Sequence, residues 1–152
     1  MEIRLLAPDE RTLALQLALD VFMRFVAPDY SDQGIETFLS YVESDAALNK
    51  LTFYGAFEGN ALIGMLATRS TNHISLFFVD ERFQRRGVGR GLFELVRSGA
   101  SSDVITVHSS PYAKPVYEKL GFSAISDEQL SNGIRYIPMK YLCSRSDSTN
   151  GR

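Results

Sequence analysis

Between residues 84 and 90 the chain reads Gln84-Arg-Arg-Gly-Val-Gly-Arg90, and with Arg82 this places four arginines within nine residues. Gly87 and Gly89 lack a Cβ, so the main chain can turn sharply there and let an oxygen-rich ligand approach its N–H groups. The apolar positions Val88, Leu92, Leu95 and Val96 predict a helix over 88–98, whose first N–H groups lack partners and carry the positive end of the dipole. The stretch therefore predicts an anion site suited to phosphate, with Arg82, Arg85, Arg86 and Arg90 supplying charge. A lone G-x-G would read as a helix that begins with glycines beside a solvated arginine face, but four arginines in so short a span weigh against that. A P-loop G-x-x-x-x-G-K-[ST] is absent, as are the third glycine and later acidic residue of a dinucleotide fingerprint.

The elements around this turn can be read from periodicity. Ile74 to Val79 is short and rich in aromatic and β-branched residues, which predicts a strand, and Asp103 to His108 predicts another. Strand, helix and strand at this spacing imply a parallel pair with a right-handed crossover. Upstream, Thr52–Phe57 and Ala61–Arg69 form a hairpin around Glu58-Gly59-Asn60, and Ser70-Thr71-Asn72 turns into the 74–79 strand. Glu2 to Leu6 is a first strand. Pro8-Asp9-Glu10 opens a helix whose apolar face runs through Leu13, Ala14, Leu17, Ala18, Val21 and Phe22 to Phe25, ending at Ala27-Pro28. Ser31 or Asp32 caps a second helix through Ile35, Phe38, Leu39 and Val42. Downstream, a short helix holds Pro115 in its first turn and stops at Gly121. Phe122–Ile125 and Ile134–Tyr141 follow as strands around an acidic loop containing Asn132-Gly133, and Pro138 predicts an exposed edge. The class is α/β (α+β), a mixed sheet of about seven strands with four helices in the order β-α-α-β-β-β-α-β-α-β-β.

With 152 residues and 45% hydrophobic content, the chain is sized for one domain over 1–143, followed by a frayed polar tail over 144–152. A formal net charge of −2 provides no field for nucleic acid, so the arginines are read as serving a small phosphorylated ligand. The single Cys143 excludes an internal disulfide and is read as structural. No stretch has the length of a membrane span or a secretory apolar region, so a cytoplasmic protein without a membrane partner is expected. No metal is expected.

Gln84-x-x-Gly87-x-Gly89 after a strand resembles the Q/R-x-x-G-x-G/A motif of the GNAT N-acetyltransferase superfamily. Ala113-x-x-x-Tyr117-Glu-Lys-Leu-Gly-Phe122 is similar to the family's closing Y-x-x-x-G-F segment, and the element order matches the family fold up to about Tyr141. The resemblance implies that residues 84–90, Val88 included, grip the pyrophosphate of acetyl-CoA, the acyl donor. It also implies that the strand before the motif is bulged and splayed from its parallel neighbour. Backbone groups around Phe77, Phe78 and Val79 then bind the pantetheine arm and the acetyl oxygen, while the side chains remain free to pack.

Acetyl transfer to an amine needs a neutral amine, a stabilised oxyanion and a proton for the departing thiolate. Tyr117 matches the family tyrosine that protonates the sulfur, a role its neutral phenol suits, with Tyr112 as rival. His73 stands where histone-acetyltransferase-like members carry a glutamate base, with His108 and solvent as the other candidates. Where the family often has an asparagine, His108 stands at or beside its place. Ser109 and Ser110 either reach the coenzyme or cap the following helix. The expected activity is an acetyl-CoA-dependent N-acetyltransferase acting by direct transfer in a ternary complex; the alternative is a non-catalytic acyl-CoA-binding module. The acceptor, a small-molecule or peptide amine, is left open, as is assembly into a homodimer. Residues 27–31 and the second helix are expected to shape its pocket. Glu36, Glu43 or Asp45 could attract a cation, although helix-face charges are usually only solvated.

Overall fold

The computed structural model describes residues 1–143, so the tail expected over 144–152 lies outside the described residues. Eight strands of the described residues form the sheet: β1 (Glu2–Leu5), β2 (Leu51–Glu58), β3 (Ala61–Arg69), β4 (His73–Val79), β5 (Val104–Ser109), β6 (Ser123–Ala124), β7 (Gln129–Ser131) and β8 (Ile134–Leu142). Among the described residues five α-helices accompany them: α1 (Arg11–Val21), α2 (Asp32–Val42), α3 (Asp45–Leu48), α4 (Val88–Ser98) and α5 (Lys114–Leu120). The strand order is β1-β2-β3-β4-β5-β8-β6, with β7 on β8, and every pair is antiparallel except β4–β5.

Two apolar cores sandwich the sheet. Ala14 and Ala18 of α1 pack with Phe53, Phe57, Met65 and Leu76 on one face; Leu92, Phe93 and Val96 of α4 pack with Leu66, Ile74 and Ile105 on the other. Leu13, expected on the buried face of α1, is instead 47% exposed. Alanines line the contact because they let the helix axis approach the strands. Arg4 of β1 pairs with both Glu10 oxygens at 2.8 Å, fixing the entry to α1. At its far end α1 widens into a π-helical turn over Phe22–Val26, and Ser31 Oγ caps α2 by accepting the Gly34 N–H at 3.2 Å.

Two elements exceed the expectation. Ser44 Oγ accepts the Ala47 N–H and starts the one-turn α3. The loop expected before Ile134 contains β7, joined to β8 by Asn132 (φ 51) and Gly133 (φ 81), a two-residue hairpin turn that needs positive φ at both positions. Pro138 does not lie on an edge strand, because β8 runs between β5 and β6. Its carbonyl accepts the Ile125 N–H at 2.8 Å, so its missing donor faces the side where β6 ends and costs no ladder bond with β5.

Candidate active site

β3 and β4 pair residue for residue from Gly64/Val79 to Ala67/Leu76; Thr68 then faces Ile74, leaving Ser75 as an extra residue in β4. This bulge bends β4. Its parallel pairing to β5 is confined to His73/Thr106 and Ile74/Val107, and beyond these the strands part. The Asp80 N–H donates to Ile63 O of β3 at 2.9 Å. Since N–H direction alternates along a strand, Phe77 and Val79 turn theirs away from β3 into the opening. Phe78, expected to add a third donor, turns its N–H to β3 instead. Its ring packs on the opposite face, 6.2 Å edge-on from Phe38.

The motif loop is anchored from within, because the Gln84 carboxamide donates to the Val79 carbonyl at 3.0 Å. Arg85 (φ 65) and Gly87 (φ 84) take left-handed backbone, the kind of conformation from which main-chain N–H groups build anion-binding concavities. The first backbone bond of α4 runs from the Gly91 N–H to Gly87 O at 2.9 Å, so among the described residues the N–H groups of Val88, Gly89 and Arg90 have no backbone partner. Gly64, not singled out in the sequence, holds the helix start against the sheet, since a Cβ there would lie 2.7 Å from Val88 Cγ1. A glycine inside a strand pattern was the available signal.

The four arginines do not act alike. Arg82 pairs with Asp80 at 2.9 Å, and that hydrogen bond holds Asp80 below the usual carboxylate range. Arg90 donates to the Lys119 carbonyl at 3.0 Å and ties α4 to the end of α5. Arg86 lies over the Phe83 ring at 5.2 Å, and among the described residues neither it nor Arg85 has a carboxylate partner. Arg85 and Arg86 are thus the guanidinium groups left for an anion.

Tyr117 is 5% exposed, with its ring edge-on to Phe77 at 5.8 Å and to Phe122 at 5.3 Å. Its hydroxyl makes no hydrogen bond among the described residues, and burial raises its pKa, so the phenol keeps its proton. Tyr112 points elsewhere, stacking on Phe25 of the π-helical turn at 5.5 Å. Ser109 Oγ donates to Ser110 O at 2.8 Å and Ser110 Oγ accepts the Ala113 N–H at 3.1 Å. Both serine hydroxyls therefore take part in the turn that leads into α5.

The histidines lie on the α1–α2 face. His73 Nδ1 is 2.8 Å from Thr106 Oγ1, and its ring is edge-on to His108 at 5.2 Å, while His108 stacks on Tyr136 at 4.5 Å. Burial, then the charges of His108 and Arg69, push His73 down to about 4, well below an ordinary imidazole. Beside this cluster, the β7–β8 hairpin is strapped to the segment between α1 and α2 and to the first turns of α2. The Tyr30 hydroxyl donates to Arg135 O at 2.8 Å, Arg135 donates to Asp29 O at 3.1 Å, and Thr37 Oγ1 donates to Asn132 O at 2.7 Å. Gly34 and Gly133 meet there so closely that a Cβ on either would collide with the other's backbone. Tyr30 and Gly34 fall in the 27–31 segment and second helix expected to shape the pocket, whereas Tyr136 was not singled out in the sequence. Among the described residues there is no cluster of three or more metal-ligating side chains, and no helix is long and apolar enough to cross a membrane.

An unpaired N–H cradle at a helix start, two free guanidinium groups and an open strand pair form a site fitted to a phosphorylated thioester. The family model of the acetyltransferase (GNAT) domain matches residues 26–143. An uncharacterized N-acetyltransferase, YafP of Escherichia coli strain K12, is 29% identical over 117 residues, covering 72% of this chain and 75% of the relative. In fold, the chain is similar to a GCN5-related N-acetyltransferase of Rhodopseudomonas palustris, with a TM-score of 0.79 and 20% identity over 93% of this chain and 94% of that one. It is also similar to the PaiA N-acetyltransferase of Thermoplasma acidophilum, solved with coenzyme A, with a TM-score of 0.65 and 17% identity over 93% and 98% of the two chains. With the family model spanning most of its length and its bulged, splayed strand in place, this chain belongs to the GNAT acetyltransferase family.

Proposed function

We propose that this protein transfers an acetyl group from acetyl-CoA to a primary amine by direct attack in a ternary complex. The observation that carries the reading is the junction of two features at one end of β4: the unpartnered N–H groups of residues 88–90 and the opening into which Phe77 and Val79 turn theirs. Coenzyme A bound by the similar Thermoplasma protein supports the choice of donor. Arg85, Arg86 and the helix start hold the pyrophosphate, and acetyl-CoA supplies an activated thioester. Phe77 and Val79 N–H groups meet the acetyl oxygen as negative charge builds on it. Tyr117 gives its proton to the departing sulfur; desolvation raises the basicity of a thiolate as it does that of a phenolate, so the pair stays matched.

Thiol release from acetyl-CoA, followed with benzylamine, spermidine, an aminoglycoside and a lysine peptide, tests the reading alongside calorimetry of acetyl-CoA alone. Micromolar to submillimolar binding with amine-dependent thiol release is expected. Binding with no release for any amine would assign the fold to a binding module, and absence of binding would remove the donor.

A further inference from the structure

We propose that His108, held by Tyr136 and His73, is the residue that takes the proton from the acceptor ammonium. The inference rests on the acetyl-transfer reading above and is carried by strand register. His108 is the first residue of β5 beyond the last parallel pair, Ile74/Val107, so it stands where the strands part, next to the stretch of β4 that leads to Phe77, three residues past Ile74. His73 lies four residues, or about 13 Å, from the same point. Val107 and Ile105 face the α4 core, so by alternation His108 and Thr106 face the opposite side, and His108 is exposed there. An amine approaching the thioester opposite α4 and α5 meets this side of the opening.

The two rings differ in availability. His73 Nδ1 is engaged with Thr106, whereas no hydrogen bond ties either nitrogen of His108 among the described residues. Stacking on Tyr136 and the edge contact with His73 fix the His108 ring plane without occupying its lone pair. The charged and titratable groups around it are His73 from β4, Arg69 at the end of β3, and Tyr136 and Lys140 from β8. Partial desolvation of the ring against its neighbours, then the charge of Arg69, lowers the His108 pKa, so the ring is neutral and able to accept at neutral pH.

The step balances as follows. One ammonium proton passes to the His108 ring, and the freed nitrogen bonds to the acetyl carbon. The carbon–sulfur bond breaks and the sulfur takes the Tyr117 proton. The acylated nitrogen returns its second proton to Tyr117 through solvent, and His108 releases its own to bulk water, for a net release of one proton.

His108→Gln should keep its acetyl-CoA affinity and lose about 10²-fold in kcat/KM at pH 7 with the best amine of the panel above. The deficit should shrink as the pH approaches the pKa of the amine, which then arrives deprotonated, and added imidazole should restore part of the rate in His108→Gly. A wild-type pH profile in His108→Gln, or a deficit equal at every pH, overturns the role. A wild-type protein that binds acetyl-CoA but releases no thiol with any amine fails the acetyl-transfer reading itself, and this role falls with it.

Discussion

The Gln84 carboxamide donates to the Val79 carbonyl at 3.0 Å, closing the motif loop back onto the end of β4. The first residue of the motif therefore shapes the cradle instead of facing its ligand. Val79 also directs its N–H towards the opening, so a single residue registers the loop against the strand. Gln84→Leu keeps the volume and removes the donor, leaving a carbonyl short of a partner at a cost of about 1–3 kcal/mol. The expected outcome is a lower urea midpoint together with weaker acetyl-CoA binding, measured by calorimetry below that midpoint. Unchanged affinity would show that the loop holds its shape without this bond.

A charge at the helix start tests the anion site directly. A Cβ on Gly89 would lie 3.5 Å from Phe77 Cζ, an ordinary contact, so Gly89→Asp has room to fold. An acidic residue in the first turn also favours the helix dipole. Stability should hold while acetyl-CoA binding disappears, because a carboxylate now occupies the N–H groups and repels phosphate. Retained affinity in that folded variant would place the pyrophosphate elsewhere.

Tyr117→Phe removes a hydroxyl that bonds to nothing else among the described residues. Folding stability should stay the same or rise slightly, since the ring contacts with Phe77 and Phe122 persist. If the phenol protonates the thiolate, kcat should fall by about 10²–10⁴-fold with little change in acetyl-CoA affinity. Near-normal turnover would hand the proton to water.

Much of this was legible because the relevant signals are local. Period, turn residues and the Gln84–Arg90 spacing belong to short windows, and they recovered the antiparallel run of β2, β3 and β4, the parallel β4–β5 pair and the helix start, but not the place of β8 between β5 and β6. Long-range partners were not legible. Arg90 read as a phosphate ligand because nothing near it in sequence predicts the Lys119 carbonyl, 29 residues on. Leu13 read as buried because hydrophobicity favours leucine, whereas close helix–sheet packing selected Ala14 and Ala18. The β7–β8 hairpin did carry its Asn132-Gly133 signal, but β7 is exposed throughout and shows no apolar alternation to support it.

The contact between Gly34 and Gly133 gives the hairpin strap a narrow tolerance. A Cβ at Gly34 would collide with the Gly133 carbonyl, and Gly133 also requires φ 81. Gly34→Ala should lose about 1–3 kcal/mol through overpacking, read as a lower urea midpoint. Acetyl-CoA affinity should be retained, because the strap lies on the α1–α2 side and the N–H cradle at the start of α4. Equal loss of coenzyme binding in the folded variant would mean that the two sides are coupled.

His73 links stability to pH with a definite sign. Its folded pKa is pushed down to about 4, first by burial and then by His108 and Arg69, while an unfolded histidine titrates near about 6.5. Between those values the unfolded chain binds more protons than the folded one, so stability rises with pH across the window. The contribution is fully present above about pH 6.5 and is lost as the pH falls towards 4. The ring is only partly buried, and solvent screening reduces the effect to about 1–2 kcal/mol. Carboxylates such as Glu10, held down to about 2 by its Arg4 hydrogen bond, begin to matter only below about pH 4.5 and leave most of the histidine window clear. Urea midpoints measured from pH 7 to 4 should therefore fall more steeply for the wild type than for His73→Gln. Parallel curves would mean that the His73 ring gains its proton in the folded protein as easily as in the unfolded chain.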